Sequence, residues 1–266
     1  MKKNFRKAVE QLPQDIRLNL IAAAMIDYAE SISDYSKPAK KKNFTSMQAN
    51  DFLFGCVFDR GVKWELAWAA GKFLNKDLGD KNDPEKVWRE IIKMKGKKLS
   101  DYMLSGNNGK AFHRFWRTYA NLLPDTANHM LDHFQGDARK IWNDQGNPRV
   151  IEKRFDDIPL IGPAIAKMAV KILIKDYGLL QDKKQYKNLD VKPDVHVTRV
   201  FKRSGIVDRD ANMNAVVFAA RKYSPEDPSI LDTAAWNIGR EWCFATKPDC
   251  RNCPINPFCL RLRRIK

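Results

Sequence analysis

The chain has 266 residues, of which 44 % are hydrophobic and 11 % aromatic, and this content excludes a disordered polypeptide. Lysine and arginine number 48 against 32 aspartate and glutamate, and the net charge of +16 predicts a polyanionic partner. That partner is either nucleic acid or an acidic membrane surface. No apolar run approaches the roughly 20 residues that a spanning helix needs, which disfavours the membrane and favours nucleic acid.

The N-terminal segment MKKNFRKAVEQLPQDIRLNL is charged throughout and has no apolar core of the kind typical of signal peptides. We therefore expect a cytoplasmic protein, associated with the nucleoid if the source is a prokaryote. In that compartment thiols stay reduced, and a cysteine cluster is more often a metal site than a set of disulfides.

Apolar residues recur at helical spacing along nearly the whole chain. Pro13 followed by Gln14 and Asp15 predicts a helix start, and residues 33–44 form a polar, lysine-rich linker. Further helices are predicted over SMQANDFLFGCVF, VKWELAWAAGKFL, EKVWREIIKMK, AFHRFWRTYANLL, DTANHMLDHF and DARKIWND. No alternating run is long enough to predict a sheet, so the expected fold class is all-α, with about ten or more short helices.

Residues 150–175, VIEKRFDDIPLIGPAIAKMAVKILIK, predict a helix, a tight hairpin and a second helix. Gly162 at the hairpin allows a ligand to approach the backbone closely, and Pro163 suits the first position of the second helix. The free N–H groups of a helix N-terminus bind anions, so a DNA phosphate is the expected ligand. Taken alone, the motif is equally compatible with an ordinary corner of a helical bundle.

Asp194, in the segment NLDVKPDVHVTRVFKRSGIV, follows a proline and precedes a helical pattern, which is the position of an N-cap. An N-cap aspartate is usually only structural. This one has basic neighbours that suit a phosphate backbone: Lys192, His196, Arg199, Lys202 and Arg203. An acid held in a DNA-binding groove would stabilise the cationic transition state of glycosidic-bond cleavage.

Four of the five cysteines lie in CFATKPDCRNCPINPFC, with the spacing C-x6-C-x2-C-x5-C. Four thiolates complete the ligand shell of one metal centre. The single C-x2-C pair differs from the two separate pairs of generic zinc sites, but ligand identity alone leaves both zinc and a [4Fe–4S] cluster open. The fifth cysteine, Cys56, lies in the apolar run FLFGCVF and is predicted to be a buried core residue.

The hairpin IPLIGPAIA, the segment PDVHVTRV and the four-cysteine loop together resemble the helix–hairpin–helix DNA glycosylase superfamily, in its iron–sulfur branch around endonuclease III and the adenine glycosylase. The family writes the first two as L-P-G-V-G-x-K-T-A and V-D-T-H-x-x-R-V, and its cysteine spacing is identical. The resemblance extends roughly over residues 46–260. It implies two helical subdomains with the DNA and base-binding cleft between them: a six-helix barrel with the hairpin (49–188) and a discontinuous iron–sulfur cluster domain (1–48 with 189–266).

The same resemblance implies that Asp194 is the catalytic aspartate. It implies a [4Fe–4S] cluster held by four ligands, Cys243, Cys250, Cys253 and Cys259. It also implies DNA contacts by Leu160, Gly162 and Ala164 in the hairpin, by His196 and Arg199 after the aspartate, by Arg60 in the turn FDRGVKW, and by Lys247 and Arg251 in the cysteine loop. Arg60 would either fill the gap left by an extruded base or contact a phosphate.

Two hairpin positions depart from the family. The first glycine is Leu160, and the nucleophilic lysine of bifunctional members is Ala164, which cannot form a Schiff base. Lys167 lies one helical turn further on, so it shares a face with position 164 and is a candidate lyase lysine.

We therefore expect a monofunctional DNA glycosylase, a monomer that flips a damaged or modified base out of double-stranded DNA and hydrolyses its N-glycosidic bond. Two alternatives stay open: a bifunctional glycosylase and abasic-site lyase using Lys167 or another lysine, and a non-catalytic iron–sulfur DNA-binding protein. Aromatic residues of the first half are candidates for the base pocket or, since aromatics at helical spacing usually face inward, for the core. They are Trp64, Trp68, Phe112, Trp116 and Tyr119.

Overall fold

A computed structural model describes residues 8–9, 11–32 and 39–260 of the chain. Within these residues the regular structure consists of eleven α-helices and two short 3-10 helices, and the bridges at Asp80–Asp83 and Asn107–Lys110 are isolated pairs rather than strands. The prediction of an all-α fold is confirmed. No helix in the described part of the chain is long and apolar enough to cross a membrane. Residues 33–38 of the predicted linker lie outside the described residues.

The α-helices are α1 (Gln14–Ile32), α2 (Ser46–Phe58), α3 (Trp64–Leu78), α4 (Lys86–Lys93), α5 (Lys97–Ser105), α6 (Trp116–Phe134), α7 (Pro148–Asp156), α8 (Pro163–Lys175), α9 (Val195–Ser204), α10 (Met213–Tyr223) and α11 (Pro228–Glu241). The 3-10 helices are Ala138–Ile141 and Lys183–Asn188.

Local signals in the sequence set several of these helix boundaries. Helix α1 begins at Gln14, directly after Pro13, as predicted. Helix α2 has a capping box, in which the Thr45 hydroxyl accepts the Gln48 amide at 3.2 Å and the Gln48 side chain accepts the Thr45 amide at 3.1 Å. Helix α9 ends at Gly205, whose φ of 88° lies in the left-handed region that glycine adopts without strain.

Helix α6 differs from the prediction. The segments AFHRFWRTYANLL and DTANHMLDHF were expected to form two helices, but one continuous helix runs from Trp116 to Phe134 with Pro124 inside it. A proline removes one amide donor and usually kinks a helix. Here the helix continues because it buries apolar side chains on both sides of the proline, among them Tyr119 and Met130. The segment DARKIWND forms a 3-10 helix over Ala138–Ile141 rather than an α-helix.

The described residues divide into two compact units. One consists of those within Met1–Lys41 and Lys171–Lys266, and the other of Lys42–Val170, so the division falls inside α8. The domain boundaries expected from the resemblance, at residues 48 and 188, stay a prediction.

The unit 42–170 is built around α2, which is buried along most of its length. Phe54 of α2 stacks on Trp88 of α4 with ring centroids 4.5 Å apart. The Tyr119 hydroxyl of α6 donates to the carbonyl of Val57 at 2.9 Å. Cys56 has no exposed surface, which confirms its prediction as a core residue.

The other unit has a separate apolar core, formed by α1, α9, α10 and α11. Helices α9 and α11 pack closely where Gly239 faces His196, since a Cβ at position 239 would lie 2.8 Å from the His196 Cβ. This contact fixes the start of α9 against α11. The start of α9 is also the position of Asp194.

Candidate active site and metal centre

The predicted helix–hairpin–helix is present as α7, a six-residue turn (157–162) and α8, which starts at Pro163 as expected. The carbonyl of Gly162 accepts the amides of Ile165 and Ala166 at 2.9 and 3.0 Å, so Gly162 occupies the N-cap position. Within the described residues, the N–H groups of Gly162 and Ala164 donate no hydrogen bond. No atom lies within 4 Å of the position that a Cβ on Gly162 would take. The helix N-terminus therefore presents free donors on an open face.

Leu160 explains why the related pattern has a glycine at this position. Its φ is 74°, in the left-handed region that costs a leucine roughly 1–2 kcal/mol. The turn is held from α6, whose Thr126 hydroxyl donates to the carbonyl of Pro159 at 2.9 Å. The left-handed turn is kept here without glycine because the surrounding contacts fix it.

Lys167 is engaged in an ion pair. Its Nζ lies 2.6 Å from Oε1 of Glu152 on α7, and both side chains are only 16 % exposed. Arg149 approaches the other oxygen of Glu152 at 3.7 Å. A nucleophilic role for Lys167 would require this ion pair to break, which opposes the role considered for it. Ala164 itself is half-buried in the first turn of α8.

Asp194 is the N-cap of α9, as predicted from the sequence. Its Oδ1 accepts the amides of His196 and Val197 at 2.8 and 2.9 Å. Within the described residues, no group donates a hydrogen bond to its Oδ2. One carboxylate oxygen therefore holds the helix start, and the other is available for chemistry.

The environment of Asp194 favours a carboxyl group that takes up a proton more readily than usual. Burial raises the pKa of Asp194 above its ordinary value, and the negative charge of Asp232 raises it further. The amides of Val197 and His196 and the charge of Lys192 act in the opposite direction. A raised pKa suits a general base that activates water.

His196 and Arg199, both predicted to contact DNA, form an internal network. The Arg199 guanidinium donates to the carbonyls of Cys243 and Gly239 at 2.6 and 2.7 Å. Its Nη2 also lies 2.9 Å from His196 Nδ1. Burial lowers the pKa of Arg199 from its usual value. The guanidinium thus connects the start of α9 to the first cysteine of the loop.

The four cysteines of the loop line one cavity of about 320 Å³. Burial, followed by the charges of the three other thiols, raises the pKa of Cys253 to about 12. As they stand, the described residues contain no group of three or more His, Cys, Asp or Glu side chains arranged as a metal site. The cavity nevertheless brings together the four predicted ligands, Cys243, Cys250, Cys253 and Cys259.

Arg203 provides a positive charge beside these thiols. The residue is only 8 % exposed, and its Nη1 lies 3.5 Å from the Cys243 Sγ. Its guanidinium also donates to the carbonyls of Phe244 and Ala245, while its buried Nε has no partner among the described residues. A buried cation with an unused donor, in the cavity that the four thiols line, fits an anionic thiolate centre.

The other predicted DNA contacts lie on the surface. Arg60 is exposed in the turn between α2 and α3, next to Gly61 with its φ of 68°. Lys247 and Arg251 are exposed in the cysteine loop, and Lys247 adopts a left-handed φ of 47°. None of the three forms an ion pair within the described residues, so each is available to an anionic partner.

The aromatic residues considered for the base pocket differ in how far they are buried. Phe112 and Tyr119 are core residues at 5 % and 1 % exposure, whereas Trp64 is 49 % exposed. Trp68 and Trp116 are half-buried. Exposure therefore favours Trp64 over the two buried residues as a group able to meet a ligand.

Sequence reasoning missed two residues of this region, Asp232 and Lys171. Asp232 Oδ1 accepts the amide of Lys192 at 2.8 Å, and its Oδ2 pairs with the ammonium of Lys171. Asp232 could have been found from the sequence, because it lies within the helical apolar pattern ILDTAAWNI. A charged residue on a buried helix face needs a partner, so its position there predicts an ion pair or hydrogen bonds.

Solved structures with a similar fold include two endonuclease III–DNA complexes and a thymine-DNA glycosylase. A trapped endonuclease III–DNA covalent intermediate, the estranged-adenine complex, is 18 % identical over 94 % of this chain and 97 % of that chain, with a TM-score of 0.62. A non-covalent endonuclease III–DNA complex is 18 % identical over 89 % and 92 %, with a TM-score of 0.59. A thermostable thymine-DNA glycosylase is 12 % identical over 93 % and 97 %, also with a TM-score of 0.59.

The chain thus has the helix–hairpin–helix DNA glycosylase fold. More particularly, its all-α fold is that of endonuclease III, which confirms the resemblance at the level of the fold. No family model matches the chain, and no curated protein matches it.

Proposed function

We propose that this protein is a monofunctional DNA glycosylase, which hydrolyses the N-glycosidic bond of a damaged or modified base flipped out of duplex DNA. The observation that carries the proposal is Asp194, a half-buried carboxylate with one oxygen capping α9 and the other unbonded, on the fold of endonuclease III. The free oxygen would orient or deprotonate the attacking water, and the charge would stabilise the cationic sugar of the transition state.

DNA binding is supported by charge and by the hairpin. The net charge of +16 favours a polyanion, and the unbonded N–H groups of Gly162 and Ala164 suit a backbone phosphate. The three exposed basic residues without an ion pair, Arg60, Lys247 and Arg251, are further phosphate contacts in this proposal. Chemistry on a base requires it to leave the stack, which favours lesions that pair poorly.

The monofunctional assignment is supported by two positions of α8. Ala164 replaces the lysine with which related enzymes form a Schiff base, and Lys167 is held by Glu152. A lyase that uses another lysine is the second candidate function, favoured by the many lysines of the chain.

The four cysteines and Arg203 would hold a [4Fe–4S] cluster in the 320 Å³ cavity. When bound, the cluster would supply a cross-link among four points of the loop, with a structural rather than a catalytic role. Arg203 would balance the negative charge of four thiolates. The loop would then present Lys247 and Arg251 from a fixed backbone. Purified protein is expected to be yellow-brown with about four iron atoms per chain; a colourless protein containing one zinc ion would contradict the cluster.

The activity is tested on a panel of duplexes, each with one lesion, assayed with and without alkali. Strand cleavage that appears only after alkali is the expected result, because base loss without lyase chemistry leaves an abasic site. Cleavage without alkali would support the lyase, and no cleavage on any lesion would support a binding protein without enzymatic activity.

The role of Asp194 is tested by Asp194→Asn, whose amide oxygen still accepts the two α9 amides. The fold should be kept, and the rate of base release should fall by about 10²–10⁴-fold. Asp182→Asn is the matched control, because Asp182 caps a 3-10 helix in the same way, accepting the Lys184 amide at 2.9 Å. Base release that is equal in the two variants would contradict the catalytic assignment.

A further inference from the structure

Asp232 is a buried carboxylate that joins three parts of the unit containing Asp194. The residue lies in α11 and is only 4 % exposed. Its Oδ1 accepts the amide of Lys192 at 2.8 Å, in the segment that leads into α9. Its Oδ2 pairs with the ammonium of Lys171 at the end of α8, a side chain that is 16 % exposed.

The segment Lys192–Asp194 is consequently held at each of its residues. The Lys192 amide is bound by Asp232. Pro193 has its φ fixed by its ring. The Asp194 amide donates to the Lys192 carbonyl at 2.7 Å, and the Asp194 carboxylate caps α9. Asp232 is the one side chain in this set that comes from a distant part of the sequence, so it ties the catalytic segment to α11.

Asp232 also places a negative charge near Asp194. Its carboxylate lies between the Lys171 ammonium and the Lys192 amide. Charges in a poorly solvated region interact more strongly than charges in water. In accord with this, the charge of Asp232 contributes to the raised pKa of Asp194, second to burial among the causes that raise it.

We propose that Asp232 is the positioning residue of Asp194: with Lys171 as its counter-ion, it fixes the Lys192 peptide and supplies a negative charge near the catalytic carboxylate. The proposal deepens the proposed glycosylase function. Removing the charge should make Asp194 a weaker base, and removing the acceptor should loosen its position.

The sign of the effect follows from all the charged groups around Asp194. Asp232 from α11 is the negative group whose charge bears on it, and the other carboxylate of the region, Asp190, is paired with Arg221 at 2.7 Å. The positive groups are Lys171 from α8, Lys192 from the preceding segment and Arg199 from α9, and the His196 ring of α9 lies against Arg199. Loss of the Asp232 charge therefore leaves a more positive environment, and the pKa of Asp194 falls.

The first experiment needs no substrate. The pKa of Asp194 is measured from the pH dependence of its ¹³Cγ NMR signal, assigned with Asp194→Asn. In Asp232→Asn this pKa is expected to fall by about half a unit to one unit. Asp227→Asn is the matched control, because Asp227 pairs with Lys175 in the same manner between the start of α11 and α8. It should leave the pKa of Asp194 unchanged, and an equal shift in both variants, or no shift in Asp232→Asn, would overturn the proposal.

The second experiment uses single-turnover base release on the lesion found with the panel. The rate of base release needs ionised Asp194, so the acid limb of the pH–rate profile should move to lower pH in Asp232→Asn, by the same amount as the pKa of Asp194. The plateau rate of Asp232→Asn should stay within about threefold of the wild type, because the new amide oxygen still accepts from the Lys192 amide. In Asp232→Ala the plateau should fall about tenfold or more. A wild-type protein without base release would refute the glycosylase assignment alone, since the NMR result stands independently; an unmoved acid limb in an active protein would refute the role of Asp232.

Discussion

Gly162 offers a direct test of the hairpin as a phosphate site. No atom lies within 4 Å of a Cβ built on it, and its φ lies outside the left-handed region, so Gly162→Ala fits the fold without strain. Alanine restricts the unfolded chain and thereby stabilises a protein by about 0.4–1 kcal/mol. At an N-cap position, however, alanine stabilises the helix less than glycine does, and the difference is comparable in size and offsets this gain. We therefore expect the free energy of unfolding to change by less than about 0.5 kcal/mol.

DNA binding should respond quite differently. The added methyl lies beside the N–H groups of Gly162 and Ala164, where the phosphate is proposed to bind. The loss of one hydrogen bond to a charged group costs about 1.5–3 kcal/mol, which corresponds to a fall in affinity of about ten- to a hundredfold. The affinity is measured by fluorescence anisotropy with a labelled duplex at one fixed salt concentration, because phosphate contacts depend strongly on salt.

Gly146→Ala is the control for this substitution. Gly146 also has no atom within 4 Å of a built Cβ and precedes α7, whereas the hairpin turn follows the other end of that helix. It should leave DNA affinity unchanged. Wild-type affinity in Gly162→Ala would refute the phosphate site, and a loss of more than about 1.5 kcal/mol in stability would refute the inference that the alanine is accommodated.

Pro124→Ala should raise the free energy of unfolding in urea by about 1–3 kcal/mol, because the new amide can donate to the carbonyl of Ala120; lower stability would contradict this. Burial lowers the pKa of His113, so the unfolded state takes up the proton first and stability should fall as the pH drops below about 6.5. His113→Asn should flatten this dependence between about pH 7 and pH 5, and an unchanged slope would show that His113 is not its source. Arg203→Met should lose most of the visible absorbance and iron, because it removes the cation beside the thiols; wild-type iron content would argue against that role.

Much of this fold was predictable from residues that cap a helix or fix a backbone dihedral angle locally. Pro13, Pro163 and Asp194 each determine a helix start within one or two residues, and each start lies where the sequence indicates. Cys56, in an apolar run, is buried as expected. Such signals are local, because a cap or a fixed φ acts through neighbouring atoms.

The prediction was wrong where tertiary packing outweighs a local signal. Two helices were predicted on either side of Pro124, but the apolar face of α6 is buried on both sides of the proline and one helix continues through it. In Ala138–Ile141 a helical pattern of four residues forms a 3-10 turn, capped by Asp137. In a stretch this short, the free energy from helix propensity is too small to decide between an α-helix and a 3-10 helix.

The contacts of the candidate site that the sequence did not reveal are the long-range ones. Asp232 lies 40 residues from Lys192 and 61 from Lys171, so no spacing rule connects them. Lys167 looked suited to nucleophilic chemistry because it shares a helix face with Ala164, but its partner Glu152 comes from α7, 15 residues away. The ion pair changes the chemistry that Lys167 can perform, because the side chain is held by Glu152 and would have to leave this partner to attack a sugar carbon. The identity of a side chain is therefore read from the sequence, but whether it is free to react depends on partners that only the fold brings to it.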